Sequence, residues 1–115
     1  MSKINWQQLK RYQDIFGLKK MLFLWQEYLS CSEQYWQNIK DINSKNALYA
    51  FHNWRSSSKI FGMEDFAALC QRIEDKLQRQ NYNCTDTVLQ LRKIYDEDIN
   101  EIKQYFIDME QNNEE

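Results

Sequence analysis

The chain has 115 residues, 43% of them apolar and 15% aromatic, which suits one domain built around a single core. With no proline and only two glycines, it lacks the turn punctuation that many short strands need, so the expected fold is all-α. A net charge of −2 and the absence of a Lys/Arg cluster alternating with aromatics argue against a nucleic-acid partner. The longest apolar run, Met21 to Trp25, is far short of a membrane span.

The first predicted element follows Asn5-Trp6-Gln7-Gln8, a cap residue with a glutamine three positions later, and places Trp6, Leu9 and Phe16 near one face of a short lid-like helix. The polar Gln7-Gln8 pair interrupts any signal-peptide core, so the expected address is the cytoplasm, without membrane attachment. From Leu18 the positions Leu18, Met21, Trp25, Tyr28, Ser32, Tyr35 and Ile39 step by threes and fours, with Leu22, Leu29 and Trp36 beside them; this predicts a broad aromatic core stripe. A helix over roughly Ser44 to Phe61 comes next. Met63, Phe66, Cys70, Ile73 and Leu77 repeat the spacing behind Glu64 and Asp65, acids placed to suit a helix N-terminus. Val88, Leu91, Tyr95, Ile99, Ile102, Phe106 and Met109 form the last stripe, entered through Asn83-Cys84-Thr85-Asp86 with several candidate caps. Residues 1–110 read as one domain, and 111–115, with no apolar anchor, as a frayed acidic tail.

Cys31, Cys70 and Cys84 are odd in number and form no C-x-x-C pair or metal-ligand spacing with His52. Free thiols fit a reducing compartment. Cys70 falls within the Phe66-Ala67-Cys70-Ile73 stripe and reads as a small buried hydrophobe.

His52, the single histidine, lies in the helix over 44–61. At about 100° per residue, Ala47, Phe51, Trp54, Ser58 and Phe61 share a narrow arc and form the predicted core face. With His52 at zero, Lys59 and Lys45 fall near ∓20°, Leu48 and Ser56 near ∓40°, and Arg55 and Tyr49 near ∓60°, about two turns beyond the helix start. The imidazole is therefore expected in a solvent-facing stripe with three cations and little bulk.

That pattern has a chemical meaning. A neutral, accessible imidazole can attack phosphorus. Arg55, one turn on, offers a fork of donors to the negative charge formed, and Lys45 and Lys59 add a diffuse positive field. Small side chains at Ser56 and Ser57 leave room for a partner to approach, and exposed Leu48 and Tyr49 provide a docking patch. The two lysines equally suit a solubilising face.

The run His52-Asn53-Trp54-Arg55-Ser56-Ser57-Ser58, then Gly62 and Met63-Glu64-Asp65-Phe66-Ala67-Ala68-Leu69-Cys70 up to Ile73-Glu74, resembles the signature of the histidine phosphotransfer (HPt) family. There a phosphoacceptor His precedes x-hydrophobic-Lys-Gly-Ser-Ser/Ala and a Gly at a helix turn. Arg55 stands at the family's Lys position and Ser56 at its Gly position, which are departures in shape. With the helix order, the resemblance spans roughly residues 5 to 107. It implies an antiparallel up-down four-helix bundle with a short N-terminal lid helix. It also implies a freestanding, monomeric phosphocarrier in a multistep two-component phosphorelay. His52 would be the phosphoacceptor and Arg55 would stabilise the phosphoryl group, with Lys45, Leu48, Tyr49, Ser56 and Lys59 meeting the partner. The implied partners are receiver domains of response regulators and of a hybrid sensor histidine kinase. The carrier itself would need no cofactor, Mg²⁺ being held by the receiver. No P-loop or kinase-type glycine-rich loop is present, so autonomous ATP-dependent kinase activity is not expected. The usual Pro after the His of kinase dimerisation domains is missing too. The alternatives are a phosphotransfer-inactive pseudo-HPt adaptor that binds a receiver or other partner, and a helical assembly module that dimerises through its aromatics.

Overall fold

The computed structural model describes residues 3–113. It is all-α. The helices are α1 (Trp6–Phe16), α2 (Leu18–Asn38), α3 (Lys45–Ile60), α4 (Glu64–Gln78) and α5 (Thr85–Asn113), with no strand among the described residues. None of these helices is long and apolar enough to cross a membrane.

The helix starts follow local chemistry. Asn5 caps α1 by accepting at its side chain from the Gln8 amide at 3.2 Å, which also donates to the Asn5 carbonyl, and Ser44 caps α3 by accepting from Ala47 N at 3.1 Å. Glu64 and Asp65 do more than face a helix dipole. Asn5 Nδ2 donates to Glu64 Oε1 at 2.8 Å, Lys3 N donates to Asp65 Oδ2 at 3.0 Å, and Asn5 N donates to Gly62 O at 2.8 Å. The N-terminal lead is thus clasped to the turn between α3 and α4. Gly62 has φ +76°, and a Cβ there would collide with the Asn5 carbonyl oxygen; the position requires glycine on both counts. At the other end, α5 remains helical through Asn113, so residues 111–113 continue the helix where a frayed tail was expected. Glu114 and Glu115, the rest of that expected tail, lie outside the described residues.

Helix α3 packs against α1, α2 and α4, α5 packs against α4, and α1 against α2. The predicted core arc of α3 is buried throughout: Ala47, Phe51, Trp54 and Ser58 at 0% exposure and Phe61 at 2%. The Trp54 ring meets those of Tyr35, Trp36, Phe51, Phe66 and Tyr95. Its Nε1 donates to Ser32 Oγ at 3.0 Å, Ser32 Oγ donates to Tyr28 O at 2.7 Å, and the Tyr28 and Ser58 hydroxyls lie 2.8 Å apart. These hydroxyls and the Trp54 indole N–H are therefore paired, as burial demands, whereas the buried Nε1 of Trp36, whose ring packs on Trp54, has no hydrogen-bond partner among the described residues. Burial raises the Tyr28 phenol well above its ordinary range, against the opposing effect of the Ser58 hydrogen bond.

Candidate functional site

His52 projects from α3 with 55% of its side chain exposed, and its Nδ1 lies 2.8 Å from Oε1 of Glu74, a carboxylate on α4 with 7% of its side chain exposed. Arg55 Nε stands 3.2 Å from Glu74 Oε2, an ion-pair distance without hydrogen-bond alignment, and Arg55 Nη2 lies 3.2 Å from His52 Nδ1. The proton on the imidazole follows from these partners. The contact with Glu74 is the shorter of the two, and it suits the tautomer in which Nδ1 is the donor. A protonated Nδ1 cannot also accept from Arg55. The 3.2 Å contact from Arg55 Nη2 is a hydrogen bond only in the other tautomer; with Nδ1 donating to Glu74, the lone pair of the neutral ring lies on Nε2.

The stripe around His52 is asymmetric, because α4 covers one flank of α3. Arg55 keeps only 23% side-chain exposure, and Leu48 is half-buried and packed against the core. Both positions were expected to face solvent; they fall on the same side of His52 in the helical projection, the side carrying Glu74. On the opposite flank Tyr49 is 67% exposed and Ser56 is open. Lys45 and Lys59 are exposed as expected, each about 10 Å along the axis from His52 by helical rise. Their fields therefore reach the imidazole only through water and are screened.

Beneath the pair, Cys70 lies one turn before Glu74 in α4 and is fully buried. Burial pushes its thiol far above the ordinary range, with the Glu74 charge acting in the same direction and Arg55 opposing. It is a neutral packing group, as the apolar stripe implied. Cys84 is also buried and Cys31 exposed.

Family models, curated proteins and solved structures yield no match to this chain.

Glu74 is the residue that sequence reasoning did not single out. Its signal was a carboxylate within a core-facing stripe: Cys70, Glu74 and Leu77 are spaced by four and three, and all are buried. A charge at such a position requires a partner. Asp98 on α5 is similarly placed between Tyr95 and Ile102 and is fully buried.

Proposed function

We propose that the chain is a histidine phosphotransfer carrier in which His52 Nε2 accepts a phosphoryl group from a receiver-domain aspartate and returns it to another. One observation carries the reading: an exposed imidazole whose Nδ1 is fixed by a buried, arginine-paired carboxylate, leaving Nε2 as the nucleophilic atom. In the forward step the Nε2 lone pair forms the N–P bond while the acyl O–P bond breaks, its electrons going to the departing aspartate carboxylate. Arg55 braces Glu74 and adds positive charge beside the incoming group. Lys45 and Lys59 supply a diffuse field. Because α4 closes the Arg55–Leu48 flank, the receiver approaches over Tyr49 and Ser56. Its own Mg²⁺ serves the acyl phosphate.

The finer architecture belongs to the same reading: α2 to α5 as an antiparallel up-down four-helix bundle, with α1 as its lid. The order of paired residues supports it. Tyr28 meets Ser58 while Ser32 meets Trp54, and Trp25 meets Phe106 while Trp36 meets Tyr95; in each pair of helices the numbering runs in opposite senses. The protein would act as a cytoplasmic monomer between the receivers of a hybrid sensor kinase and of response regulators.

The test is incubation with receivers of the same organism charged with acetyl phosphate, followed by detection of acid-labile phosphate. Wild type should gain label and His52→Gln should not. Acid-labile label persisting in His52→Gln, or none in wild type with any charged receiver, refutes the proposal.

A further inference from the structure

We propose that the cleft between α4 and α5 is a second binding site, one that takes an elongated zwitterion: an ammonium group and a carboxylate separated by a short apolar middle. The cleft encloses about 430 Å³, within the range of small-ligand sites. Two matching stripes wall it. Asp65, Leu69 and Arg72 come from α4, and Lys93, Ile94 and Glu97 from α5, each set following one face of its helix over successive turns.

The register of the two helices sorts the charges. Phe66 packs on Tyr95, and Lys76 Nζ donates to Asn83 O at 3.0 Å, so the numbering runs in opposite senses across this seam. Asp65 therefore stands level with Glu97, Leu69 with Lys93, and Arg72 a turn farther on. The carboxylates gather at one end of the cleft and the cations toward the other, about 6–10 Å away by helical rise. Buried Leu69 and half-buried Ile94 form the floor between them. Lys93 and Glu97, four residues apart, have the spacing of an intrahelical pair, yet among the described residues no ion pair engages any of these four charges. Asp65 accepts the Lys3 amide at Oδ2, which leaves Oδ1 for a ligand. Two carboxylates at one level repel each other, and a bound ammonium relieves that repulsion. At the other end the Arg72 guanidinium offers the fork that a carboxylate fits. A zwitterion gains from both ends and from displacing water off the floor, whereas a molecule with one charge meets half the site.

This site is separate from the one at His52. At about 100° per residue, the stripe of Asp65, Leu69 and Arg72 and the Glu74 side chain fall on roughly opposite sides of α4. The proposal therefore stands independently of the phosphocarrier reading.

The probes are ω-aminooctanoate and trialanine, an aliphatic chain and a peptide that each place an ammonium and a carboxylate about 10 Å apart when extended. Binding would be followed by nitrogen–proton NMR of the wild-type chain at low ionic strength, where such contacts are least screened. At least one probe should shift the amides of Leu69, Arg72, Lys93 and Glu97 and leave those around His52 in place, with a dissociation constant on the order of 1 mM. Octanoate and octylamine, each lacking one charge, and glycine, lacking the span, should bind about fivefold more weakly or worse. Glu97→Gln and Arg72→Gln lie outside the core and should each weaken the probe by a similar factor, while His52→Gln should leave its affinity unchanged. The tighter probe assigns the middle of the ligand as aliphatic or peptidic. The proposal is overturned if neither probe shifts the cleft, if the controls bind as well as the zwitterions, or if both charge variants keep wild-type affinity.

Discussion

Trp54 and His52 lie two residues apart on α3 and on nearly opposite sides of it, so truncating the tryptophan tests the helical phase on which the site depends. Trp54 is fully buried, with ring centroids 4.6 Å from Trp36, 4.9 Å from Phe66 and 5.5 Å from Tyr35. A buried Trp→Ala change costs about 3–5 kcal/mol in transfer energy and cavity formation. The Nε1 bond to Ser32 adds about 1 kcal/mol and no more, because Ser32 Oγ keeps its own acceptor at Tyr28 O. The sum, about 4–6 kcal/mol, is a large share of the ordinary stability of a small domain. At about 2 kcal/mol per molar urea it should lower the unfolding midpoint by ~2–3 M. Trp54→Phe retains most of the apolar volume and should cost about half as much. The assay is urea unfolding followed by far-UV circular dichroism, with His52→Gln alongside. The His52 ring is exposed, so its replacement should cost about 1 kcal/mol or less, the hydrogen bond to Glu74 included. A Trp54→Ala midpoint within experimental error of wild type would refute the phase of α3 and with it the outward placement of His52.

Arg55→Ala should destabilise the fold by about 2–3 kcal/mol, because Glu74 would remain buried with His52 as its only nearby donor; Arg55→Lys should recover part of that stability in the same urea assay. Arg55→Ala should also slow single-turnover transfer by about tenfold or more, the worth of a charge-assisted contact. Gly62→Ala should cost about 2 kcal/mol from the left-handed backbone alone, more if the Asn5 clasp is forced open, and calorimetry should show Tm lowered by about 8 °C or more. Cys70 and Tyr28 both have folded values raised by burial, so above the ordinary values of 9.0 and 10.0 the unfolded chain loses their protons while the folded chain keeps them. Stability should therefore be unaffected by these groups below pH 9.0 and fall above it, by about 1.4 kcal/mol per pH unit for each group engaged; midpoints that stay level to about pH 11, a unit past the ordinary tyrosine range, would contradict the burial of both.

The helices and the core arc of α3 were legible because periodicity is local: the positions of Phe51, Trp54, Ser58 and Phe61 fix which way His52 points without reference to any other element. The cap at Asn5 was equally local, a hydrogen bond to an amide three residues on; Ser44, read only as the rough start of its helix, makes the same bond to Ala47 N. What the projection could not give was the width of the exposed face. That width depends on where α4 lies, and on the α4 side Arg55 and Leu48 are half-buried while Tyr49 and Ser56 stay open. Glu74 was quoted within the family-like run, but its pairing with His52 escaped notice for the same reason. It sits 22 residues from His52, and only the register of α3 against α4 makes the two meet. The functions of Glu64 and Asp65 were half visible: a helix dipole accounts for acids in a first turn, but the donors they receive come from residues near the start of the chain.

The Lys3–Asp65 and Asn5–Glu64 hydrogen bonds join positions 62 and 59 residues apart, so they close a loop that contains α1, α2 and α3. Closing a loop of that length costs about 3.6 kcal/mol of chain entropy beyond a fixed constant, whereas each helix forms from neighbours a few residues apart. The hydrogen bonds at this seam are polar and Lys3, Glu64 and Asp65 are exposed, so within the N-terminal lead the apolar burial that offsets the closure comes from Ile4. The seam is therefore placed to form late in folding and to open early in native fluctuations. Hydrogen exchange would register this as faster loss of protection at the Asn5 amide and along α1 than in α3, whose amides are released only when the aromatic core itself comes apart.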